Sequence, residues 1–390
     1  MVRPHGPIFG RVKPILLLSR GHADADFLYA SHLVVEQGLY LRFAPGDDLL
    51  AVSTLELDRA RREARAARII DRKDVGWVEQ EDTLAAWSDL ARRLLGERGV
   101  GDVRVSPLLP AAAYEALRGA GVGVEIDRRL FLDERRHKSA EEADSIRAAQ
   151  GAAEAACVEV IGQLAAAEPK PDGLLWLDGS PLTSERLMAS AQAALSQIGY
   201  SGAELIVAGS PESALPHFQG AGPIRANAPV VIDIFPQGRT SHYHGDLTRT
   251  VVVGRPADVV RRMHDACVEA LDRAIGLLSD GVNGRDVHRA VCQVLVDRGF
   301  GTATDGFTGD PGAPRMIHST GHGVGLEIHE APALRDLDWM LRDGDVVTVE
   351  PGLYLAGLGG LRVEDTGMVV ANGFRNFTSL PRSIDPADYL

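Results

Sequence analysis

The chain has 390 residues, enough for about two domains, and its 45% hydrophobic content is that of an ordinary globular protein. A net charge of −13, with no basic cluster interleaved with aromatics, argues against non-specific nucleic-acid binding and against an anionic membrane partner. The three cysteines, Cys157, Cys267 and Cys292, are too few and too scattered for a disulfide framework or a thiolate zinc site, and they read as small buried or half-buried apolar residues of helices. The apolar run Ile15 to Leu18 is too short for a signal or spanning segment, so a cytoplasmic location is the expectation.

In chain order, Pro14 to Ser19 reads as a central strand, and Phe27 to Leu33 fits either a strand or a turn entering a helix. Tyr40 to Phe43 and Leu49 to Ser53 read as strands joined by the turn Ala44-Pro45-Gly46-Asp47. Helices are predicted over Leu55–Ala67, Thr83–Glu97 and Pro110–Gly119. Strands alternating with helices predict a small α/β domain over residues 1–135 with a covered, largely parallel sheet. The charged stretch Arg128 to Arg136 reads as a linker.

A second domain, residues 136–390, opens at Ser139-Ala140-Glu141-Glu142, a capping-box pattern that starts an Ala-rich helix running to about Ala166. Further helices are predicted over Ser184–Gln197, Ala257–Leu278 and Asp286–Arg298. Strands are predicted over Glu204–Ala208, Val230–Phe235, Thr248–Val253, Val346–Glu350, Gly352–Leu355 and Arg362–Val370. Helices packed on one side of an antiparallel sheet make this an α+β domain.

Acidic residues recur inside or at the ends of these apolar strands. Asp233 is embedded in Val230 to Ile234, and Asp246 follows in Gly245-Asp246-Leu247-Thr248-Arg249-Thr250, where a returning hairpin could set it beside Asp233. Glu350 ends Val346 to Val349, and Glu364 lies within Gly360-Leu361-Arg362-Val363-Glu364-Asp365. Taken singly, Asp233 could close a turn, Asp246 could pair with Arg249, and each Glu could be the first solvated residue of its strand. Together, carboxylates in apolar strands need a shared counter-charge, and a metal supplies one. Met316 to Glu330 adds His318, His322 and His329, separated by Gly321, Gly323 and Gly325, which allow close backbone approach to an ion or ligand. Singly, a histidine is as readily a hydrogen-bonded core or surface residue. No GK[ST] follows these glycines and no HExxH is present, so neither a phosphate loop nor a zincin helix is indicated. Asp233, Asp246, His322, Glu350 and Glu364 would suit two hard or borderline divalent cations, with manganese, cobalt and zinc all open.

In this order, with these flanking residues, the motifs resemble the pita-bread metallopeptidases: methionine aminopeptidase, Xaa-Pro aminopeptidase and Xaa-Pro dipeptidase. The resemblance covers residues 139–390, and the first 125 or so are similar to the creatinase-type N-terminal domain of the proline-directed branch. It implies a pseudo-twofold domain whose curved antiparallel sheet cradles two metals. Asp233 would bind one ion, Asp246 and Glu364 would bridge both, and His322 and Glu350 would complete the other shell. His217 and His329 would contact substrate and the developing oxyanion, His318 would line the pocket, and Tyr354 and Arg362 would support the ligands or the pocket. A bridging hydroxide would attack a short peptide, Glu350 would relay the proton, and the protein would be a homodimer or homotetramer.

One departure stands out: twelve residues separate Asp233 from Asp246, where the family usually has about ten. The loop Pro236 to His244, which holds His242 and His244, is therefore expected to project over the cleft or a neighbouring subunit. Basic candidates for clamping a substrate carboxylate are Arg239, Arg249 and Arg362. The alternatives are a carboxypeptidase of the same fold, a hydrolase of a non-peptide C–N bond, and a catalytically inactive binding module; a full ligand set argues against the last.

Overall fold

The computed structural model describes residues 13–390 apart from 20, 22, 23 and 203. The chain divides into two compact units, Met1–Asp133 and Glu134–Leu390.

The first unit is built on one sheet of β1 (Ile15–Leu18), β2 (Leu39–Ala44), β3 (Asp47–Val52), β4 (Arg68–Asp71), β5 (Asp102–Val105) and β6 (Gly123–Ile126) in the order β4-β3-β2-β1-β5-β6. Period-two alternation covers both faces. Leu16, Leu18, Leu39 and Leu41 pack with α3 (Thr83–Glu97) and α4 (Ala111–Gly119), whereas Ile15, Leu17, Tyr40 and Leu50 pack with α1 (Ala25–Ser31) and α2 (Thr54–Glu63). The sheet is mixed: β3–β4, β1–β5 and β5–β6 are parallel, in line with the expectation of a largely parallel sheet, whereas β1–β2 and β2–β3 are antiparallel. The β2–β3 turn is too short for a parallel crossover, and Gly46 supplies its positive φ of 76°. The ambiguous segment after residue 24 is α1, whose first turn is capped by the Asp24 carboxylate accepting from Phe27 N–H.

A short helix, α5 (Leu132–Arg136), crosses the boundary, so the stretch read as a linker is ordered. In the second unit Arg136 is buried, donating to both oxygens of Asp345 and to the Met340 carbonyl. Its charge is neutralised in the interior rather than hydrated.

The second unit has two halves of one design, a helix pair on a small sheet. In the first, the Ser139–Glu142 capping box starts α6 (Ala140–Ala166), which packs with α7 (Ser184–Gln197). Short strands β7 (Glu168–Pro169), β8 (Leu175–Leu177) and β9 (Ser180–Pro181) form a minor sheet, and β10 (Tyr200–Ser201) precedes β11 (Ile206–Gly209). β11, β12 (Val230–Ile234) and β14 (Leu247–Val251) form the main antiparallel sheet, and β13 (Gln237–Gly238) pairs with β10. In the second half α8 (Asp258–Ile275) and α9 (Gly284–Asp297) cover the remaining strands. These are β15 (Gly301–Thr302), β16 (Arg315–Met316), β17 (Gly321–Gly323), β18 (Glu330–Leu334), β19 (Val346–Val349), β20 (Gly352–Leu355), β21 (Gly359–Arg362), β22 (Asp365–Val370) and β23 (Gly373–Asn376). They assemble as β15-β16-β20-β21 and β18-β17-β19-β22-β23.

The single antiparallel sheet expected here is thus divided, and β15–β16 is parallel. The run Arg362 to Val370 is two strands, because at Val363 and Glu364 the chain leaves one sheet for the other. There Val363 N–H donates to the Pro351 carbonyl and Glu364 N–H to the Thr248 carbonyl. Cys157, Cys267 and Cys292 are buried and unpaired with one another, as helix-core residues. Among the described residues no helix is long and apolar enough to cross a membrane.

Candidate metal centre

Alternation along the strands decides where the polar residues point. Val230, Ile232 and Ile234 of β12 pack beneath α6 and α7, so Asp233 lies on the opposite face. Register aligns Ile206, Asp233 and Thr248 across β11, β12 and β14. In the other half Val347, Val349, Leu353, Leu361 and Val363 belong to the core under α8 and α9. Thr348, Glu350, Tyr354, Arg362 and Glu364 therefore fall on the opposite face. The helix-free faces of both halves border one cavity of about 970 Å³ lined by His217, Asp233, Asp246, His318, His322, His329, Glu350, Arg362 and Glu364, among others.

One ligand atom each from Asp246, His322 and Glu364 lies within 4.8 Å of the others. His322 Nε2 is 3.6 Å from Asp246 Oδ2 and 3.5 Å from Glu350 Oε1. Donors about 2.1 Å from a shared ion would stand at such separations. His322 Nδ1 faces the Gly323 carbonyl at 3.1 Å, and donation there leaves Nε2 as the free lone pair towards the carboxylates. Burial, then neighbouring His329, holds its pKa down to about 4, which keeps the ring neutral and able to ligate.

The carboxylates carry a charge excess. Burial, then Glu364, Asp233 and Glu350, pushes Asp246 well above the ordinary range. Burial, then Glu350 and Asp233, does the same to Glu364. Burial pushes Glu350 up to about 7, with Arg362 opposing and Asp233 reinforcing the rise. Arg362 donates through Nη2 to Asp233 Oδ2, but one guanidinium cannot neutralise four carboxylates. The donor set thus fits divalent cations: hard oxygen ligands, one neutral imidazole, and negative charge that the surrounding side chains leave uncompensated.

The supporting groups form a continuous network. Thr248 Oγ1 donates to Glu364 Oε2 at 2.7 Å and accepts from Arg362 Nε at 3.1 Å. Arg362 Nη1 donates to Tyr354 OH at 2.7 Å, and that hydroxyl lies 2.9 Å from His318 Nε2. His318 Nδ1 is 2.8 Å from the Ser319 carbonyl, so the tautomer protonated at Nδ1 satisfies both contacts. Both ring nitrogens of His318 are then occupied, and it presents the cavity with ring surface. Tyr354 is not among the cavity-lining residues and reaches the site through His318 and Arg362. His217 and His329 are exposed in the cavity, with the His329 ring 4.3 Å from that of His322.

Three expectations change. The loop 236–244 folds back, with Gln237 and Gly238 paired to β10 and Gly238 N–H donating to the Tyr243 carbonyl, and none of its described residues lines the cavity. Of the clamp candidates, Arg239 bonds Ser196 outside the cavity, and Arg249 is buried against Asp365 and the carbonyls of Thr248, Glu364, Leu380 and Pro381. Arg362 is committed to Asp233 and Tyr354. Sequence reasoning missed Arg335, an exposed cavity-lining cation with no side-chain partner among the described residues. It lies on the strand-flanking segment after His329, which proximity to that motif could have suggested. Thr248 was missed as well, although strand alternation from Asp246 places it on the same face.

The structure superposes on the X-Pro aminopeptidase of Thermotoga maritima with a TM-score of 0.78, at 24% identity, over 96% of this chain and 97% of that one. It superposes on the Xaa-Pro dipeptidase of Bacillus anthracis with a TM-score of 0.80, at 24% identity, over 96% and 94%. At these identities the likeness establishes the pita-bread fold. The chain belongs to metallopeptidase family M24, whose profile matches residues 144–371. The Xaa-Pro dipeptidase of Pyrococcus furiosus is 36% identical over 183 residues, 46% of this chain and 49% of that protein. Here the match spans about half the length of the curated relative. The Xaa-Pro aminopeptidase 1 of Streptomyces coelicolor is 28% identical over 94% of this chain and 78% of its own length.

Proposed function

We propose that this chain is a dinuclear metal-dependent exopeptidase acting on short Xaa-Pro peptides. The observation that carries the reading is the cluster of Asp233, Asp246, His322, Glu350 and Glu364 on the wall of a cavity that also exposes His217 and His329. Asp233 would hold one ion, Asp246 and Glu364 both, and His322 and Glu350 the other, with manganese, cobalt or zinc compatible with a set that lacks thiolate. When bound, the ions would supply an acidified water and polarise the scissile carbonyl. Glu350 takes the proton of the attacking water and delivers it to the leaving nitrogen. His329 and His217 donate to the oxyanion as charge develops on it. Arg362, Thr248, Tyr354 and His318 hold the carboxylates in place through the hydrogen bonds described above.

Arg335 favours a dipeptidase among the exopeptidase readings. A free guanidinium on the cavity wall suits the carboxylate of a peptide's C-terminal residue, an interaction that only a short substrate can reach. The test is a panel of Xaa-Pro dipeptides, their C-terminal amides and longer Xaa-Pro-Xaa peptides, with wild type and Arg335→Met. A dipeptidase cleaves the free dipeptides best, and Arg335→Met raises their KM roughly tenfold while leaving the amides unchanged. Preference for the longer peptides, with no effect of the substitution, would favour an aminopeptidase. A homodimer or homotetramer in the cytoplasm forms part of the same proposal, with light scattering as the check on assembly.

A further inference from the structure

The start of the second unit reaches the candidate site through a buried ion cluster. Lys138 Nζ lies 2.6 Å from Glu330 Oε1, and Arg135 Nη2 lies 2.6 Å from Glu330 Oε2 and 2.7 Å from Glu327 Oε2. The side chains of Lys138, Glu330 and Arg135 are 2%, 7% and 12% exposed. Burial pushes the Glu330 carboxyl up, but Lys138 and Arg135 outweigh it and hold the group below its ordinary value. Three charges this enclosed are costly to keep unless they fix something, since apolar residues of the same size would fill the space at no desolvation cost.

What they touch is the turn that separates two imidazoles of the site. Gly323 pairs across the β17–β18 ladder with Glu330, so this pair is flanked by His322 on one strand and His329 on the other. The ladder shifts register between His322 and Gly323, and the chain turns through 324–329 before returning. Glu330 is pressed under that turn: a Cβ added at Gly325 would stand 2.4 Å from Glu330 Oε1, and one at Gly323 would stand 2.4 Å from the Ala331 carbonyl oxygen. The Gly325 carbonyl is held in turn by the backbone N–H of His244 at 2.9 Å. Glu330 itself lines the cavity.

We propose that Lys138 and Arg135, acting through Glu330, are positioning residues that lock the 323–330 turn and so set the placement of the His329 imidazole against His322. The turn carries glycines at 323 and 325 and has little stiffness of its own, so the rigidity comes from a carboxylate anchored by two cations outside it. A small displacement of His329 from the reacting carbonyl lowers turnover more than binding, because its hydrogen bond strengthens as charge develops on the oxygen.

The activity arm of the test rests on the proposed peptidase reading, and a spectroscopic arm does not. Lys138→Met, Glu330→Gln and the double variant are compared with wild type. In the metal-free proteins, the 1H–15N imidazole resonances of His329 and His322 should move in each variant while those of His264 on α8, outside this segment and turn, stay in place. In metal-loaded protein, kcat per bound-metal equivalent should fall about tenfold or more with KM within about threefold, and the double variant should be no worse than the more impaired single one. Unmoved imidazole resonances with unchanged kcat, even alongside a lower Tm, would reduce the cluster to plain packing and overturn the proposal, as would effects that multiply in the double variant. Should Lys138→Met fail to fold, Glu330→Gln keeps the size of the side chain and carries both readouts alone. A wild type that cleaves no peptide would refute the peptidase reading, and the imidazole shifts would still decide the positioning role.

Discussion

Glu350→Gln should stabilise the metal-free protein while abolishing its activity. Glu350 faces the other carboxylates of the cluster, and burial raises its pKa from 4.5 to about 7. A carboxyl whose pKa is higher in the folded state than in the unfolded chain binds its proton more tightly when folded. Its contribution to stability is therefore whole below about pH 4.5, declines as pH rises, and is lost by the time pH passes about 7. At about 1.4 kcal/mol per pH unit across that window, the ionised carboxylate costs the metal-free protein up to about 3 kcal/mol at pH 8. Coupling to Asp246 and Glu364 spreads part of this over the cluster, so about 1–3 kcal/mol is expected. Glutamine has the shape of the protonated acid and no charge to bury. For a unit of this size the gain amounts to roughly 3–10 °C in Tm at pH 8 and close to nothing at pH 4.5. The assay is thermal unfolding of chelator-treated wild type and Glu350→Gln between pH 4.5 and 8. Metal addition should reverse the order, since wild type gains about 2.7 kcal/mol at a free-ion concentration a hundred times Kd and the variant, lacking a ligand, gains less. Equal Tm values for the metal-free pair at pH 8, or a variant stabilised equally at every pH, would refute the reasoning.

Two other perturbations separate the site from its scaffold. Asp246→Asn removes a carboxylate that shares the Asp246–His322–Glu364 cluster, so bound metal measured by atomic spectroscopy should fall by at least half and peptidase activity by roughly a hundredfold or more, while metal-free stability at pH 8 rises. Arg249→Met acts through the scaffold: its guanidinium is 1% exposed and holds Asp365 together with the Glu364 and Leu380 carbonyls, so denaturant unfolding should show a loss of about 3 kcal/mol. Metal content per folded molecule should fall less in this variant than in Asp246→Asn.

Much of the centre was legible along the chain because a buried strand advertises its polar residues. Asp233 inside Val230 to Ile234 and Glu350 after Val346 to Val349 are anomalies against apolar neighbours, and both lie on the cavity. Helix ends were legible where local chemistry fixes them, as at the Ser139–Glu142 capping box and at Ser184–Gln197. Strand limits were not, because Arg362 to Val370 is continuous in pattern and yet belongs to two sheets, a division set by partners as distant as Pro351 and Thr248. The loop 236–244 had no pattern of its own, and its pairing with β10 is a contact with residues some forty positions earlier.

The residue types, their alternation with apolar neighbours and their flanking glycines were enough to predict that carboxylates and imidazoles would come together on the inner faces of the strands, which is where the structure has them. Those are local properties of the chain, and they hold in any fold that buries the strands. Which carboxylate answers which imidazole, that Arg249 is scaffold while Arg335 faces the cavity, and that Arg135 and Lys138 brace a turn nearly two hundred residues away were decided only in the tertiary structure. An arginine's charge is the same wherever it falls. Whether it meets a carboxylate in the interior or open space on a cavity wall depends on the register of strands remote in sequence, and that register exists only once the sheets have assembled.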